Sequence, residues 1–128
     1  MKRSIRSNDA PPPGGFYSQA VAAGPFIFLS GQLPMDTDGN LVGESPAEQT
    51  RRALGNIEAV LEEAGARLDH LVSVTVYVSD IAIWDEVNAE YREFLADVST
   101  PPARAVVPSG ELHHGALVEI AATAYFPG

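Results

Sequence analysis

Apolar residues recur at helical spacing through Ala53, Ile57, Val60, Leu61 and Ala64, with Thr50 and Leu54 beside them. The stretch opens on Ser45-Pro46-Ala47-Glu48, in which serine can cap, proline suits the first turn and glutamate can return the capping bond, and Gly65 supplies a stop. The pattern predicts a helix of about five turns lying on an apolar surface. The period then changes to two. Val72, Val74, Val76 and Val78 fall on one face of a predicted strand, and Ser73, Thr75 and Tyr77 on the other. A second helix is predicted from near Asp80 to Leu95, with Trp84, Val87, Tyr91, Phe94 and Leu95 as its apolar stripe. Asn88 shares that stripe, so its amide must find a partner or line a cleft.

Pro101 and Pro102 break the helix. A strand follows through Arg104, and Leu117 to Tyr125 reads as a last, largely apolar strand. Between them, Pro108 to Gly115 reads as a loop or a short irregular strand with a tight turn. Upstream, a short segment ends near Ser7 and a Pro/Gly-rich loop runs from Asn8 to Gly15. Phe26 to Ser30 reads as a strand closed by Gly31, and Met35 to Asn40 as a surface turn whose Asp38-Gly39 pair fits a hairpin or tight loop. The order strand, strand, helix, strand, helix, strand, strand predicts one α+β domain over residues 1–128, with two helices on one face of a mixed or antiparallel sheet.

The composition, 45% hydrophobic and 20% charged, is that of an ordinary globular chain. Its net charge of -9, with Lys2 as the only lysine and three of eight basic residues among the first six positions, leaves no basic stripe for a phosphate backbone. Nucleic acid and anionic membrane are therefore disfavoured as partners. The absence of cysteine removes disulfides and thiolate chemistry. No run approaches a membrane span and the N-terminus lacks a signal-like apolar core, so a cytoplasmic location is expected.

Two charges stand out against this background. Arg104 opens the apolar run Ala105-Val106-Val107, and a guanidinium there needs a carboxylate, either Glu119 or that of a small ligand. Glu119 sits between Leu117 and Ala121 on what reads as an otherwise buried strand face. His113 and His114 invite metal or acid/base chemistry, but neighbours on an extended chain point to opposite sides and His70 lies far off, so no metal site is predicted. The acidic turn at Met35 to Asn40 does not follow a calcium-loop pattern either. No phosphate loop, dinucleotide fingerprint or nucleophile elbow is present.

Several separated motifs nevertheless stand in the order of a known family. Phe16-Tyr17-Ser18-Gln19, Ser30-Gly31-Gln32-Leu33-Pro34, Val87-Asn88-Ala89-Glu90-Tyr91, Pro102-Ala103-Arg104 and Leu117-Val118-Glu119-Ile120 make the chain resemble the Rid family of reactive intermediate deaminases, also called the YjgF family, over essentially its whole length. The resemblance implies a chorismate-mutase-like α+β fold and a homotrimer whose sheets close around a central barrel, with helices outside and active sites at the subunit clefts. It implies that Arg104 grips a substrate carboxylate, that Glu119 handles the attacking water, and that Tyr17, Ser30, Gly31 and Asn88 are pocket positions. Val106 departs from the family pattern, standing where archetypal members place a cysteine, and makes that pocket wall more apolar.

The implied reaction needs no cofactor. A 2-aminoacrylate or related enamine tautomerises to a 2-imino acid with an electrophilic C=N carbon, so the protein need only hold the carboxylate and place a water. The product is a 2-keto acid plus ammonium. The alternatives within this resemblance are a deaminase dedicated to an aminoacrylate of pyrimidine breakdown or to 2-aminomuconate, and a trimer that binds a small ligand without turnover. The ribonuclease label carried by some relatives fits the acidic charge balance poorly.

Overall fold

In the computed structural model, which describes residues 1–128, Ser45 caps helix α1 (Pro46–Glu63) as its sequence predicts. Its Oγ accepts from the Glu48 N–H at 3.1 Å, and the Glu48 carboxylate accepts from the Ser45 and Glu44 N–H groups at 3.1 Å each. Gly65, at φ +83°, takes the left-handed conformation just past the helix end. Ala53, Leu54, Ile57, Val60 and Leu61 are fully buried, so the predicted stripe is the one that faces the core.

That core is shared with a six-stranded mixed sheet of order β1-β2-β3-β6-β4-β5. The strands are β1 (Lys2–Ile5), β2 (Ala20–Ala23), β3 (Phe26–Gln32), β4 (Leu71–Val78), β5 (Ala103–Pro108) and β6 (Val118–Tyr125). All neighbours run antiparallel except β4 and β5, which are parallel. Pro108 ends the edge strand β5, where its missing N–H costs the ladder little. Helices α1 and α2 (Trp84–Phe94) cover the face that carries Ile27, Leu29, Val74, Val76, Val78, Val118 and Ile120. The chain leaves the other face uncovered, and Phe26, Phe28 and Tyr125 are each exposed there by 40% or more. No helix is long and apolar enough to cross a membrane.

Four expectations change. β2 is an additional strand: Ala20-Val21-Ala22-Ala23 is too short and too small-residued to show a period, and it pairs with β3 through a hairpin at Gly24, φ +59°. Val72 does not share the face of Val74, because the β4–β6 register shifts between Leu71 and Ser73. Val72 is the extra residue of this bulge and is exposed, while Leu71 takes its place in the core. Helix α2 begins at Trp84, preceded by a 3-10 turn at Ile81–Ile83 in which Asp80 Oδ1 accepts from the Ala82 N–H at 2.8 Å. Finally, the strand face carrying Glu119 is the uncovered one, so Leu117, Glu119 and Ala121 are half-buried and not enclosed.

Three buried amides pin the loops around the sheet's end. Gln19 accepts from the Ser7 N–H at 2.6 Å and donates to the Pro11 carbonyl at 2.9 Å, holding the Pro/Gly-rich loop. Asn56 donates to the carbonyls of Leu33 and Met35 at 3.0 Å each. Gln49 accepts from the Leu117 N–H at 2.7 Å and donates to the Gly43 carbonyl at 3.1 Å, fixing the entry to β6. Each satisfies otherwise orphaned backbone groups of irregular segments.

Candidate active site

The β3–β6 pairing carries a second bulge. Its register shifts between Leu29 and Gln32, so that Ser30 and Gly31 together span the single residue Ala121. This disruption brings the Gly31 backbone against the Glu119 side chain. A Cβ on Gly31 would collide with Glu119 Oε2 and lie 3.1 Å from its Cδ. Any side chain at Gly31 would have to push the Glu119 carboxylate aside, so the constraint here is close approach, not an unusual dihedral. Glu119 is half-buried and has no cationic partner.

A cleft of about 760 Å³ opens in front of this carboxylate. Tyr17, Ser30, Gly31 and Glu119 all line it, so four of the predicted site residues come together. The Ser30 hydroxyl donates to the Ser18 carbonyl at 2.7 Å, and the Ser30 N–H donates to the Gln19 carbonyl at 2.9 Å, which ties the strand end to the loop before β2. Tyr17 is half exposed, and its Oη accepts from the Gly14 N–H at 3.1 Å. That bond folds the Pro/Gly-rich loop over one wall.

His113 and His114 also line the cleft, which the extended-chain expectation did not provide. They form a 3-10 turn in which His114 takes φ +61° and Gly115 φ +72°, and the two imidazoles stack with centroids 3.9 Å apart. A left-handed non-glycine residue followed by glycine turns both rings to one side. No letter pattern announces that geometry, since the residues themselves do not demand it.

Arg104, Asn88 and Val106 lie elsewhere. In the parallel β4–β5 ladder Val74 faces Arg104 and Val76 faces Val106, so both project on the helix-covered side. Glu119 pairs with Tyr77, on the opposite side. An Arg104–Glu119 ion pair within one chain is therefore excluded. Arg104 instead donates from Nη1 to Asn88 Oδ1 at 2.8 Å, and its guanidinium carbon stands 4.7 Å from the Tyr91 ring centroid and 5.7 Å from that of Trp84. No carboxylate lies within ion-pair distance of it; the one salt bridge in the chain joins Arg51 and Glu90. Burial pushes the Tyr91 phenol's pKa up, and the neighbouring Arg104 cation draws it part of the way back. Val106 packs half-buried against the core beside this group.

The chain thus presents two separate charged groups, on opposite faces of the sheet. One is a carboxylate in an open cleft, and the other is a cation under α2 at the sheet edge with most of its donors free. No cluster of three or more histidine, cysteine or carboxylate side chains that could hold a metal ion is present.

A family model described as Endoribonuclease L-PSP matches residues 7–126. Among known proteins, the chain is 42% identical over 125 residues to a RutC family protein of Pyrococcus abyssi, covering 97% of each. It is 35% identical over 125 residues to the 2-iminobutanoate/2-iminopropanoate deaminase of Salmonella typhimurium, covering 97% of this chain and 98% of that protein. Among solved structures, the YjgF gene product of E. coli superposes with a TM-score of 0.91 at 34% identity, covering 96% of this chain and 98% of that one.

Proposed function

Since the chain belongs to the Rid (YjgF) family, we propose that it hydrolyses reactive 2-enamine and 2-imine acids, such as 2-aminoacrylate and 2-iminopropionate, to 2-keto acids and ammonia. The observation that carries this reading is that Arg104 and Glu119 are both free of counter-ions. A free guanidinium offers two parallel N–H donors to a substrate carboxylate. A free carboxylate in a cleft can accept a proton from water.

The steps follow from those two groups. Arg104 holds the carboxylate and orients the C=N carbon. Glu119 takes a proton from a water as the water oxygen bonds to that carbon and returns it to nitrogen, giving a tetrahedral carbinolamine. Glu119 then relays the carbinolamine hydroxyl proton to nitrogen, the C–N bond breaks, and ammonia leaves as the C=O forms. Tyr17, Ser30 and Gly31 line the same cleft as Glu119. Asn88 fixes one edge of the guanidinium.

Because the two groups project from opposite faces of one sheet, the reading requires that Arg104 of one copy meet Glu119 of another. A homotrimer with sites at its subunit clefts is the assembly proposed. The uncovered sheet face supports self-association: Phe26 contacts Tyr125 and Phe28 with centroids 5.4 and 6.1 Å apart, a cluster too apolar to favour exposure to water.

An RNA-cleaving activity, the one named in the family description, finds little support in a chain of net charge -9 with a single lysine. The test is 2-keto acid release from freshly generated 2-iminopropionate and bulkier imino acids, with R104A and E119A alongside. Accelerated release by the intact protein, lost in R104A, supports the reading; no acceleration on any imino acid by folded protein overturns it.

A further inference from the structure

The Arg104 guanidinium is held without a counter-ion, and the manner of its holding has a consequence for binding. We infer that Trp84 and Tyr91 are positioning residues that hold Arg104 by their ring faces so that its N–H edge stays free for a substrate carboxylate. Trp84, Asn88 and Tyr91 fall at intervals of four and three along α2, so one helical stripe supplies all three contacts. A guanidinium has five N–H donors, and the hydrogen bond to Asn88 Oδ1 accounts for one of them.

A carboxylate partner from the protein would neutralise the charge and occupy two parallel donors, the same two that a ligand carboxylate needs. Aromatic faces attract the cation through their quadrupoles and leave its in-plane donors untouched. The distances of 4.7 Å to Tyr91 and 5.7 Å to Trp84 are within the range of that attraction. The two rings differ in setting: Tyr91 is 8% exposed and belongs to the core, whereas Trp84 is half-buried.

The Tyr91 hydroxyl is buried without a hydrogen-bond partner, so it is the ring and not the hydroxyl that can serve Arg104. A core tyrosine kept for packing alone would be served by phenylalanine. The positioning role also needs only the ring, so Tyr91→Phe is the conservative variant that should preserve it.

The test measures both turnover of 2-iminopropionate and calorimetric binding of 2-oxobutanoate, a stable carboxylate probe, in W84L, W84E, Y91L and Y91F. The kinetic arm rests on the deaminase reading, and the calorimetric arm does not. In W84L and Y91L, KM and the 2-oxobutanoate Kd should each rise about tenfold, with kcat within about threefold of wild type, since the lost term acts on binding. W84E, which supplies a competing carboxylate, should weaken binding further than W84L, and Y91F should bind within about twofold of wild type. Trp84 is half-buried at the first residue of α2 and outside the core cluster, so the W84 pair decides the matter if Y91L does not fold. Unchanged KM and Kd in folded W84L, or equal binding by W84L and W84E, overturn the inference. Wild-type protein that binds 2-oxobutanoate without turnover sinks the deaminase reading alone; wild-type protein that does neither overturns both.

Discussion

Arg104 and Glu119 lie on opposite faces of one sheet: Arg104 pairs with Val74 and projects under α2, while Glu119 pairs with Tyr77 and projects into the open cleft. Val74 and Tyr77 are three residues apart on β4, and the two-residue period of a strand places them on different sides. The separation is thus a property of register, and side-chain rotation cannot undo it.

Gly31→Ala should abolish most activity without unfolding the protein. Its methyl group has to displace the Glu119 carboxylate, whose Cδ would stand 3.1 Å away. Turnover should drop at least about tenfold, the cost of about 1.4 kcal/mol in the transition state. Circular dichroism should show an unchanged fold, and wild-type turnover in G31A would contradict the close approach.

Val72 and Val74 look equivalent in sequence and should respond differently to the same change. Val74→Thr buries a hydroxyl at a position 2% exposed and should cost about 2 kcal/mol, whereas Val72→Thr at the exposed bulge should stay within about 0.5 kcal/mol. Urea midpoints of the two variants test this. Equal losses would contradict the bulge.

Ser45→Ala should destabilise by about 1 kcal/mol through loss of the α1 cap, lowering Tm by about 3–5 °C. Glu48 titrates below its ordinary value of 4.5 because the Ser45 and Glu44 N–H groups hydrogen-bond the charged form. Its folded pKa is depressed, so its contribution is present above the ordinary value and is lost as pH falls through the folded one. Glu48→Gln should therefore narrow the stability difference between pH 7 and pH 3, measured by thermal melts.

How much of this was legible in sequence depends on whether local pattern or long-range register sets the feature. The α1 cap and stripe, the Gly65 stop and the Asp38-Gly39 turn are local, and they stand where the letters put them; Asp36 Oδ1 even receives the Asp38 and Asn40 N–H groups that make the turn. One sheet with two helices on one face likewise follows from element order, whereas the parallel β4–β5 pair that makes it mixed does not. Val72 was misplaced because a bulge is set by pairing with β6, which no window along β4 contains. The Arg104–Glu119 relation failed to show for the same reason, since it depends on the registers of two ladders at once. Trp84 and Tyr91 were visible as apolar positions, and only the placement of β5 beneath α2 turns them into contacts for a cation. The stacked His113 and His114 needed a left-handed turn that neither residue advertises.

If each site draws Arg104 from one copy and Glu119 from another, co-expressed R104A and E119A chains should complement each other. Each variant alone should be inactive. In a randomly mixed assembly with one site at each subunit junction, about a quarter of the sites should combine an intact Arg104 with an intact Glu119 and regain wild-type turnover of 2-iminopropionate. Mixed assemblies as inactive as either parent, with co-assembly verified by two different affinity tags, would contradict the account.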